Sequence, residues 1–214
     1  MYFNSKSILL FSSVIILPFM FIVFSITTSN FGIEKGYFLG FIIYWSFCLG
    51  IIFIIIKRSR THLKSLYSFH LNSKKARVYY VFALLPVFGV FIISFLPNMQ
   101  LLDSRLIFLV LVTSIINGFV EELYWRGLFL TEFKNSVIFG LFASTIFFTS
   151  WHIALYTINE INYGGFLVLV GGSSMLGLLW SFCTRELNSI LFPTLSYILV
   201  NIFAFTELYT KNSF

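Results

Sequence analysis

Charged residues are scarce in this sequence, and their scarcity determines the class of protein. Asp, Glu, Lys and Arg together make up 10% of the 214 residues, whereas soluble domains carry about 25%. Hydrophobic residues make up 58% of the chain, and its mean hydropathy is +0.93. A soluble enzyme is therefore excluded, and no nucleic acid is predicted as a partner. The composition predicts a polytopic membrane protein that is surrounded by the lipid bilayer.

Cysteine is also rare. The chain has two cysteines, Cys48 and Cys183, and both lie within or at the edge of apolar segments. Disulfides and zinc fingers use cysteines that are paired in loops or at short fixed spacings. The sequence therefore predicts neither a disulfide framework nor a zinc finger.

Long apolar stretches are abundant, and seven of them can cross a hydrocarbon layer of about 30 Å. They are Ile8–Thr27, Tyr37–Ile56, Val78–Leu96, Leu106–Leu130, Val137–Tyr156, Phe166–Cys183 and Ile190–Tyr209. The first is too long for a signal peptide and no small-residue cleavage site follows it, so we expect it to be retained. The predicted fold is an all-α transmembrane helix bundle, with three spans in residues 1–100 and four in residues 101–214.

The distribution of basic residues predicts the orientation of the chain. Seven of them lie between the second and third apolar stretches: Lys57, Arg58, Arg60, Lys64, Lys74, Lys75 and Arg77. Because cytoplasmic loops are enriched in Lys and Arg, this loop is predicted to be cytoplasmic. The N-terminus, which carries Lys6, then also lies in the cytoplasm, and seven spans leave the C-terminus outside.

One apolar stretch contains three charged residues, in the segment Phe119-Val-Glu-Glu-Leu-Tyr-Trp-Arg126. An ionisable group near the bilayer centre costs about 2.5–3.5 kcal/mol, so such groups persist when they pair or have a function. Glu122 and Arg126 are four residues apart and are predicted to form an ion pair. Glu121 points in another direction and must find a partner on another helix or stay protonated. It is a candidate general base. An ion pair that only packs helices, with a Glu121 side chain that extends to a nearby membrane interface, is equally compatible with this segment.

Three further polar residues lie within later spans. His152 ends the segment Phe148-Thr-Ser-Trp-His152 in the fifth span, and Tyr197 and Asn201 share one face of the seventh. A single His or Asn within a membrane is often only a contact between helices. Each of these residues alone is therefore compatible with packing.

The depths of these residues predict that they meet. Glu121 and His152 are 31 residues apart on consecutive spans, so they lie at equal depth if the turn between the spans falls near residue 136. The polar run Glu132-Phe-Lys-Asn-Ser136 lies there and contains turn residues. Both groups are then about 20 Å from that turn, and Asn201 is about 15 Å from the start of its span. Polar groups from three helices are thus expected at similar depth.

The ordered motifs resemble those of the CPBP family. This family of intramembrane metalloprotease-like proteins comprises the type 2 CAAX prenyl endopeptidases and bacteriocin-processing or immunity (Abi) proteins. Its pattern is Glu-Glu-x-x-x-Arg, then Phe-x-x-x-His, then His-x-x-x-Asn on a last helix with a proline. Here the motifs read Glu121-Glu122-Leu-Tyr-Trp-Arg126, Phe148-Thr-Ser-Trp-His152 and Tyr197-Ile-Leu-Val-Asn201. The resemblance covers roughly Leu106 to Tyr209 and implies a four-helix catalytic core.

The resemblance also implies an activity and a role for each motif residue. Glu121 and His152 would activate a water molecule for peptide hydrolysis, and Asn201 with the third-motif residue would stabilise the oxyanion. Phe148 would be a packing residue of the second motif. The family usually has His where this chain has Tyr197, but a tyrosine hydroxyl can also donate a hydrogen bond to an oxyanion.

No metal or other cofactor is predicted. A hydrolytic zinc site needs about three protein ligands. Only one histidine, His152, lies in any span, and Glu122 is expected to be paired with Arg126.

The substrate implied by the family is a membrane-associated peptide or protein. Bacteriocin or pheromone processing in a bacterial plasma membrane is the expected setting. Tyr197 keeps a second function open, in which a non-catalytic relative binds a partner for bacteriocin self-immunity or regulates a membrane kinase or transporter. A third is a small transporter or channel that uses Glu121 as a proton site, but the sequence has no inverted repeat and no paired broken helices.

Overall fold

A computed structural model describes residues 4–59, 63–69 and 74–214. These ranges contain helices and no strand. The helices in chain order are α1 (Ser5–Phe31), α2 (Ile33–Ser59), α3 (Leu63–Leu66), α4 (Lys74–Val90), α5 (Ser104–Glu121), α6 (Phe129–Glu132), α7 (Val137–Tyr156), α8 (Gly172–Leu187) and α9 (Leu191–Lys211). Arg60 of the predicted basic loop lies outside the described residues.

Three π-helical turns extend these helices. Phe91–Phe95 continues α4, Glu122–Leu128 joins α5 to α6, and Leu167–Gly171 leads into α8. With these turns included, seven helical segments are long and apolar enough to cross a membrane. The prediction of an all-α polytopic membrane protein is confirmed, and no predicted span boundary differs from the structure by more than four residues.

The spans pack both against neighbours along the chain and against spans that are distant in sequence, and they close into one bundle. α1 packs along α2 and α7, and α7 packs along α8. α9 lies between α5 and α4, while α2 reaches α5 and the π turn that follows α5. The span that carries the glutamates is therefore covered on several sides by other helices.

The α1–α2 hairpin depends on a close approach between its two helices. At Gly36, an added Cβ would lie 2.5 Å from the Cα of Thr28. Only glycine allows the two backbones to lie so close. This packing brings the middle of α2, which includes Tyr44, against the interior of the bundle.

One backbone carbonyl also connects the third span to the last two. The carbonyl oxygen of Ala83 in α4 accepts hydrogen bonds from Trp180 Nε1 at 3.0 Å and Ser196 Oγ at 2.5 Å. α8 and α9 are thereby held at a fixed height against α4.

The exterior of the bundle is apolar. Large hydrophobic side chains that are more than half exposed include Phe11, Phe53, Phe88, Ile93 and Leu167. A soluble protein would bury these side chains, whereas a lipid-facing surface exposes them. The buried positions, by contrast, include the charged residues Glu121, Glu122 and Arg126.

The π turn at Glu122–Leu128 is the main local departure from the expected structure. An α-helical turn was expected for this segment, and that expectation is wrong because residues 122–128 are π-helical. In a π turn the hydrogen bonds run from residue i to i+5, and such turns are frequent at functional sites. The turn begins directly after Glu121, so the two adjacent glutamates lie on different types of helix.

Candidate active site in the membrane-spanning bundle

Glu121 is the last residue of α5 and is completely buried. α5 starts at Ser104, where the side chain of Asp103 accepts a hydrogen bond from the backbone N–H of Leu106 at 2.7 Å. The apolar helix then packs along α9 and ends with Glu121 in the interior of the bundle.

Three side chains donate hydrogen bonds to the carboxylate of Glu121. Tyr44 on α2 donates to Oε1 at 2.5 Å. Asn117, one turn earlier on α5, donates to Oε2 at 3.0 Å, and Tyr197 on α9 also donates to Oε2. Glu121 thus has partners on two other helices, α2 and α9, as well as on its own helix. Both oxygens of the carboxylate are engaged.

A second layer of donors fixes the residues that contact Glu121. Trp125 Nε1 donates to the hydroxyl of Tyr44 at 3.0 Å, and Trp45 Nε1 donates to Oδ1 of Asn117 at 2.9 Å. An indole nitrogen can only donate a hydrogen bond. Tyr44 and Asn117 therefore accept from the two indoles and donate to Glu121. The carboxylate is therefore held in one orientation by a satisfied buried network.

Glu122 and Arg126 form the predicted ion pair. The contact joins Arg126 Nη1 and Glu122 Oε1 at 2.9 Å, and both side chains are fully buried. Neither group makes a hydrogen bond of good geometry among the described residues. The pair is therefore held by charge and by packing around it.

The ring of Phe148 connects the three motifs. The guanidinium carbon of Arg126 lies 4.0 Å from its centroid, and the ring of His152 lies 4.8 Å away. The ring of Tyr197 lies 6.0 Å from it in an edge-on arrangement. Arg126 lies in the π turn that follows α5, His152 lies in α7 and Tyr197 lies in α9. The three motifs, which are distant in sequence, therefore converge around one aromatic ring.

His152 is buried, and its tautomer follows from its hydrogen bond. Nδ1 lies 2.8 Å from the carbonyl oxygen of Phe148, and a carbonyl can only accept. The neutral ring therefore carries its proton on Nδ1 and leaves the lone pair of Nε2 for another group. Within the part of the chain that the structure describes, no hydrogen bond joins His152 to Glu121.

Asn201 lies one turn after Tyr197 on α9 and is buried. Its Nδ2 group has no hydrogen-bond partner among the described residues. Tyr197, in contrast, uses its hydroxyl on Glu121. Of the two predicted oxyanion donors, Asn201 is thus the one with a free N–H group, and both roles stay predictions.

Sequence reasoning did not identify four residues of this site: Tyr44, Trp45, Asn117 and Trp125. Asn117 had a signal, because it lies four residues before Glu121 and so shares its helix face. Tyr44 and Trp45 had none, since nothing in an apolar span indicates which aromatic residue will face a carboxylate on another span.

The structure brings no ready metal site to Glu121. In the described ranges, no group of three or more His, Cys, Asp or Glu residues lies close enough together to hold a metal ion. The two cysteines of these ranges, Cys48 and Cys183, are free and buried. The expectation of a site without metal stays a prediction.

Comparison with known proteins identifies the motif-bearing part of the chain. Residues 103–203 match the family model described as type II CAAX prenyl endopeptidase Rce1-like. This segment is therefore similar to the type II CAAX prenyl endopeptidase family. No curated protein and no solved structure matches the chain. The family match supports a CAAX protease-type intramembrane endopeptidase, and it contains every predicted motif residue from Glu121 to Asn201 but not Tyr44.

Proposed function

We propose that this protein is a glutamate-dependent intramembrane endopeptidase that cleaves a membrane-associated peptide inside the bundle. One observation carries the proposal: a fully buried carboxylate, Glu121, is oriented by three hydrogen-bond donors within the segment that matches the endopeptidase family. Burial of an ionisable group within a membrane costs free energy, so such a group usually marks a functional site. The family supplies the class of reaction.

The proposed reaction is hydrolysis by an activated water molecule. Glu121 removes a proton from the water as its oxygen attacks the scissile carbonyl carbon, and His152 holds the water through Nε2. The carbonyl oxygen becomes an oxyanion that accepts a hydrogen bond from Nδ2 of Asn201. Protonated Glu121 then returns its proton to the amide nitrogen, the C–N bond breaks, and the products are a carboxylate and an amine.

Tyr197 is proposed to take part in these steps, because its hydroxyl contacts Glu121 and it lies one helical turn before Asn201. Its hydroxyl is bonded to Glu121, so water reaches Oε2 only when that hydroxyl moves. After it moves, the hydroxyl is free to donate to the oxyanion beside Asn201. Substrate binding is the event that we expect to cause this exchange.

The proposal also includes a natural substrate and a membrane orientation. A bacteriocin or pheromone precursor in a bacterial plasma membrane is the proposed substrate, and the N-terminus of the enzyme is proposed to lie in the cytoplasm. The motif resemblance to bacteriocin-processing proteins supports the substrate, and the basic residues between α2 and α4 support the orientation.

The test is cleavage of candidate membrane peptides by the purified full chain in lipid vesicles. Products are analysed by mass spectrometry in water enriched in ¹⁸O. The wild type should give a defined cleavage with one ¹⁸O in the new carboxylate, and Glu121→Gln should give none. Glu132→Gln is the matched control because Glu132 ends the same span at α6, where the charged groups that act on it are Lys6 and Lys134. Equal cleavage by the Glu121→Gln variant would refute the proposal.

A partner-binding function is the second candidate. One observation favours it: both oxygens of Glu121 are already bonded to protein side chains. A scaffold of this kind would serve bacteriocin self-immunity or regulate a membrane kinase or transporter. In that case Glu121→Gln would leave the immunity or regulatory phenotype unchanged, provided that the variant folds.

A further inference from the structure

Tyr44 contacts the candidate catalytic carboxylate from outside the segment that matches the family. It lies in α2, whereas the family match starts at residue 103. Its hydroxyl is 2.5 Å from Oε1 of Glu121, and its side chain is fully buried. The first half of the chain therefore supplies a side chain to the site.

The direction of the Tyr44 hydrogen bond is fixed by a third residue. A tyrosine hydroxyl has one proton, and an indole N–H can only donate. Because Trp125 Nε1 donates to this hydroxyl at 3.0 Å, the proton of Tyr44 is directed at Glu121. Tyr44 thus donates to Oε1, and Trp125 enforces that arrangement from the π turn.

The ring of Tyr44 is fixed by the residue that precedes His152. Tyr44 and Trp151 are stacked, with ring centroids 4.1 Å apart and an interplanar angle of 18°. The ring of Trp151 in turn lies 4.8 Å from that of His152. A single side chain from α2 therefore contacts Glu121 through its hydroxyl and the His152 region through its ring.

We propose that Tyr44 is a positioning residue that holds Glu121 and the His152 segment of α7 in register for the reaction. This inference rests on the proposed endopeptidase function. Tyr44 fixes the Oε1 oxygen of the carboxylate through its hydroxyl, while Asn117 and Tyr197 donate to Oε2. The α1–α2 hairpin is accordingly part of the functional unit, and the motif-bearing spans alone are incomplete.

The geometry also separates this role from simple packing. Tyr44→Phe keeps the aromatic ring and its stacking on Trp151 but removes the hydrogen bond to Glu121. Tyr37→Phe is the matched control on the same helix. Tyr37 is buried among aromatic rings, and its hydroxyl makes no hydrogen bond to Glu121.

Two measurements on the full chain in lipid vesicles test the proposal. The first is cleavage kinetics with a peptide that the wild type cleaves. Tyr44→Phe should lower kcat by about 10–100-fold, because a small misplacement of a catalytic group has effects of this size. KM should stay unchanged, since Tyr44 is proposed to act through Glu121 and not on the substrate, and Tyr37→Phe should match the wild type. Thermal unfolding confirms that all variants are folded.

The second measurement is the infrared carboxylate stretch of Glu121, assigned by its loss in Glu121→Gln. Tyr44→Phe should shift this band and Tyr37→Phe should not. A Tyr44→Phe variant that cleaves at the wild-type rate would overturn the positioning role while the endopeptidase function stands. An unshifted band would overturn the contact itself. If the wild type cleaves no peptide while the band shifts, the proposed function fails and the catalytic role of Tyr44 fails with it.

Discussion

The guanidinium of Arg126 lies over the ring of Phe148, with 4.0 Å between Cζ and the ring centroid. This contact joins the first motif to the second across two spans. A cation over an aromatic face contributes about 0.5–2 kcal/mol, more when the pair is desolvated, and both residues here are buried. Phe148, predicted as a packing residue of its motif, thus lies against the charge that neutralises Glu122.

The first prediction concerns the space beside this contact. At Gly177 on α8, an added Cβ would lie 2.9 Å from Cδ1 of Phe148 and 3.4 Å from Nη2 of Arg126. Gly177→Ala should therefore displace the Phe148 ring and destabilise the protein by about 1–3 kcal/mol, as overpacking does. Thermal unfolding in detergent measures the effect.

Gly172→Ala is the control for this prediction. Gly172 lies on the same helix, and an added Cβ there would meet no atom within 4 Å. Its variant should unfold at or slightly above the wild-type temperature, because alanine is the better helix former. Equal stability of the two variants would show that the ring of Phe148 is not confined as described.

The second prediction concerns the Glu122–Arg126 pair. Glu122→Gln leaves the buried charge of Arg126 without its partner and should destabilise the protein by about 3–5 kcal/mol. Glu207→Gln is the matched control, because Glu207 and Lys211 are also four residues apart on a helix but are partly exposed. A surface pair of this kind contributes only about 0.3–0.5 kcal/mol.

The third prediction extends this argument to the double variant. Replacing both members, as in Glu122→Leu with Arg126→Met, removes the buried charges together and should recover most of the lost stability. Unfolding of the single and double variants is compared in the same detergent. A double variant as unstable as Glu122→Gln would mean that packing around Arg126, rather than charge, determines the stability of this region.

Much of the fold could be predicted from the lengths of the apolar stretches and from the polar runs that separate them. The turn near residue 136 is an example, because the polar run from Glu132 marks the point where one span ends and α7 begins at Val137. The Glu122–Arg126 pair could also be predicted, since two opposite charges at this spacing have few alternatives within an apolar helix.

The partners of Glu121 could not be predicted in the same way. The contact from Tyr44 depends on the rotation of α2 and on the close α1–α2 packing at Gly36, and an apolar sequence does not encode rotation in a visible pattern. The π turn after Glu121 was missed because one extra residue in a helical turn leaves no signature in an apolar segment.

The fourth prediction concerns orientation. In a chain with a cytoplasmic N-terminus and seven spans, the turn at Asn135 faces the cytoplasm and the loop at Glu160 faces outward. A membrane-impermeant maleimide added to intact cells should label Glu160→Cys but not Asn135→Cys. Cys48 and Cys183 are buried, so the wild type gives a low background. Labelling of Asn135→Cys alone would reverse the proposed topology.

The fifth prediction concerns Tyr197, where this chain departs from the pattern of the family that it resembles. Tyr197→Phe removes a hydroxyl that donates to Glu121 and that is proposed to reach the oxyanion, at nearly unchanged shape. Loss of one such donor typically lowers the rate by a factor of about 10²–10³. Turnover in the vesicle assay should therefore decrease by a factor of about that size. Tyr197→His restores the usual family residue and should keep or raise turnover.

Tyr209→Phe is the matched control for these variants. Tyr209 is also buried on α9, but its hydroxyl donates to Thr113 at 2.9 Å and makes no contact with Glu121. Turnover by this variant should equal that of the wild type. If the protein is a partner-binding scaffold, the phenotype in cells should instead survive Tyr197→Phe, Tyr197→His and Glu121→Gln alike. A full phenotype from a folded Glu121→Gln, Tyr197→Phe double variant would exclude the endopeptidase function, because no general base and no tyrosine donor would remain.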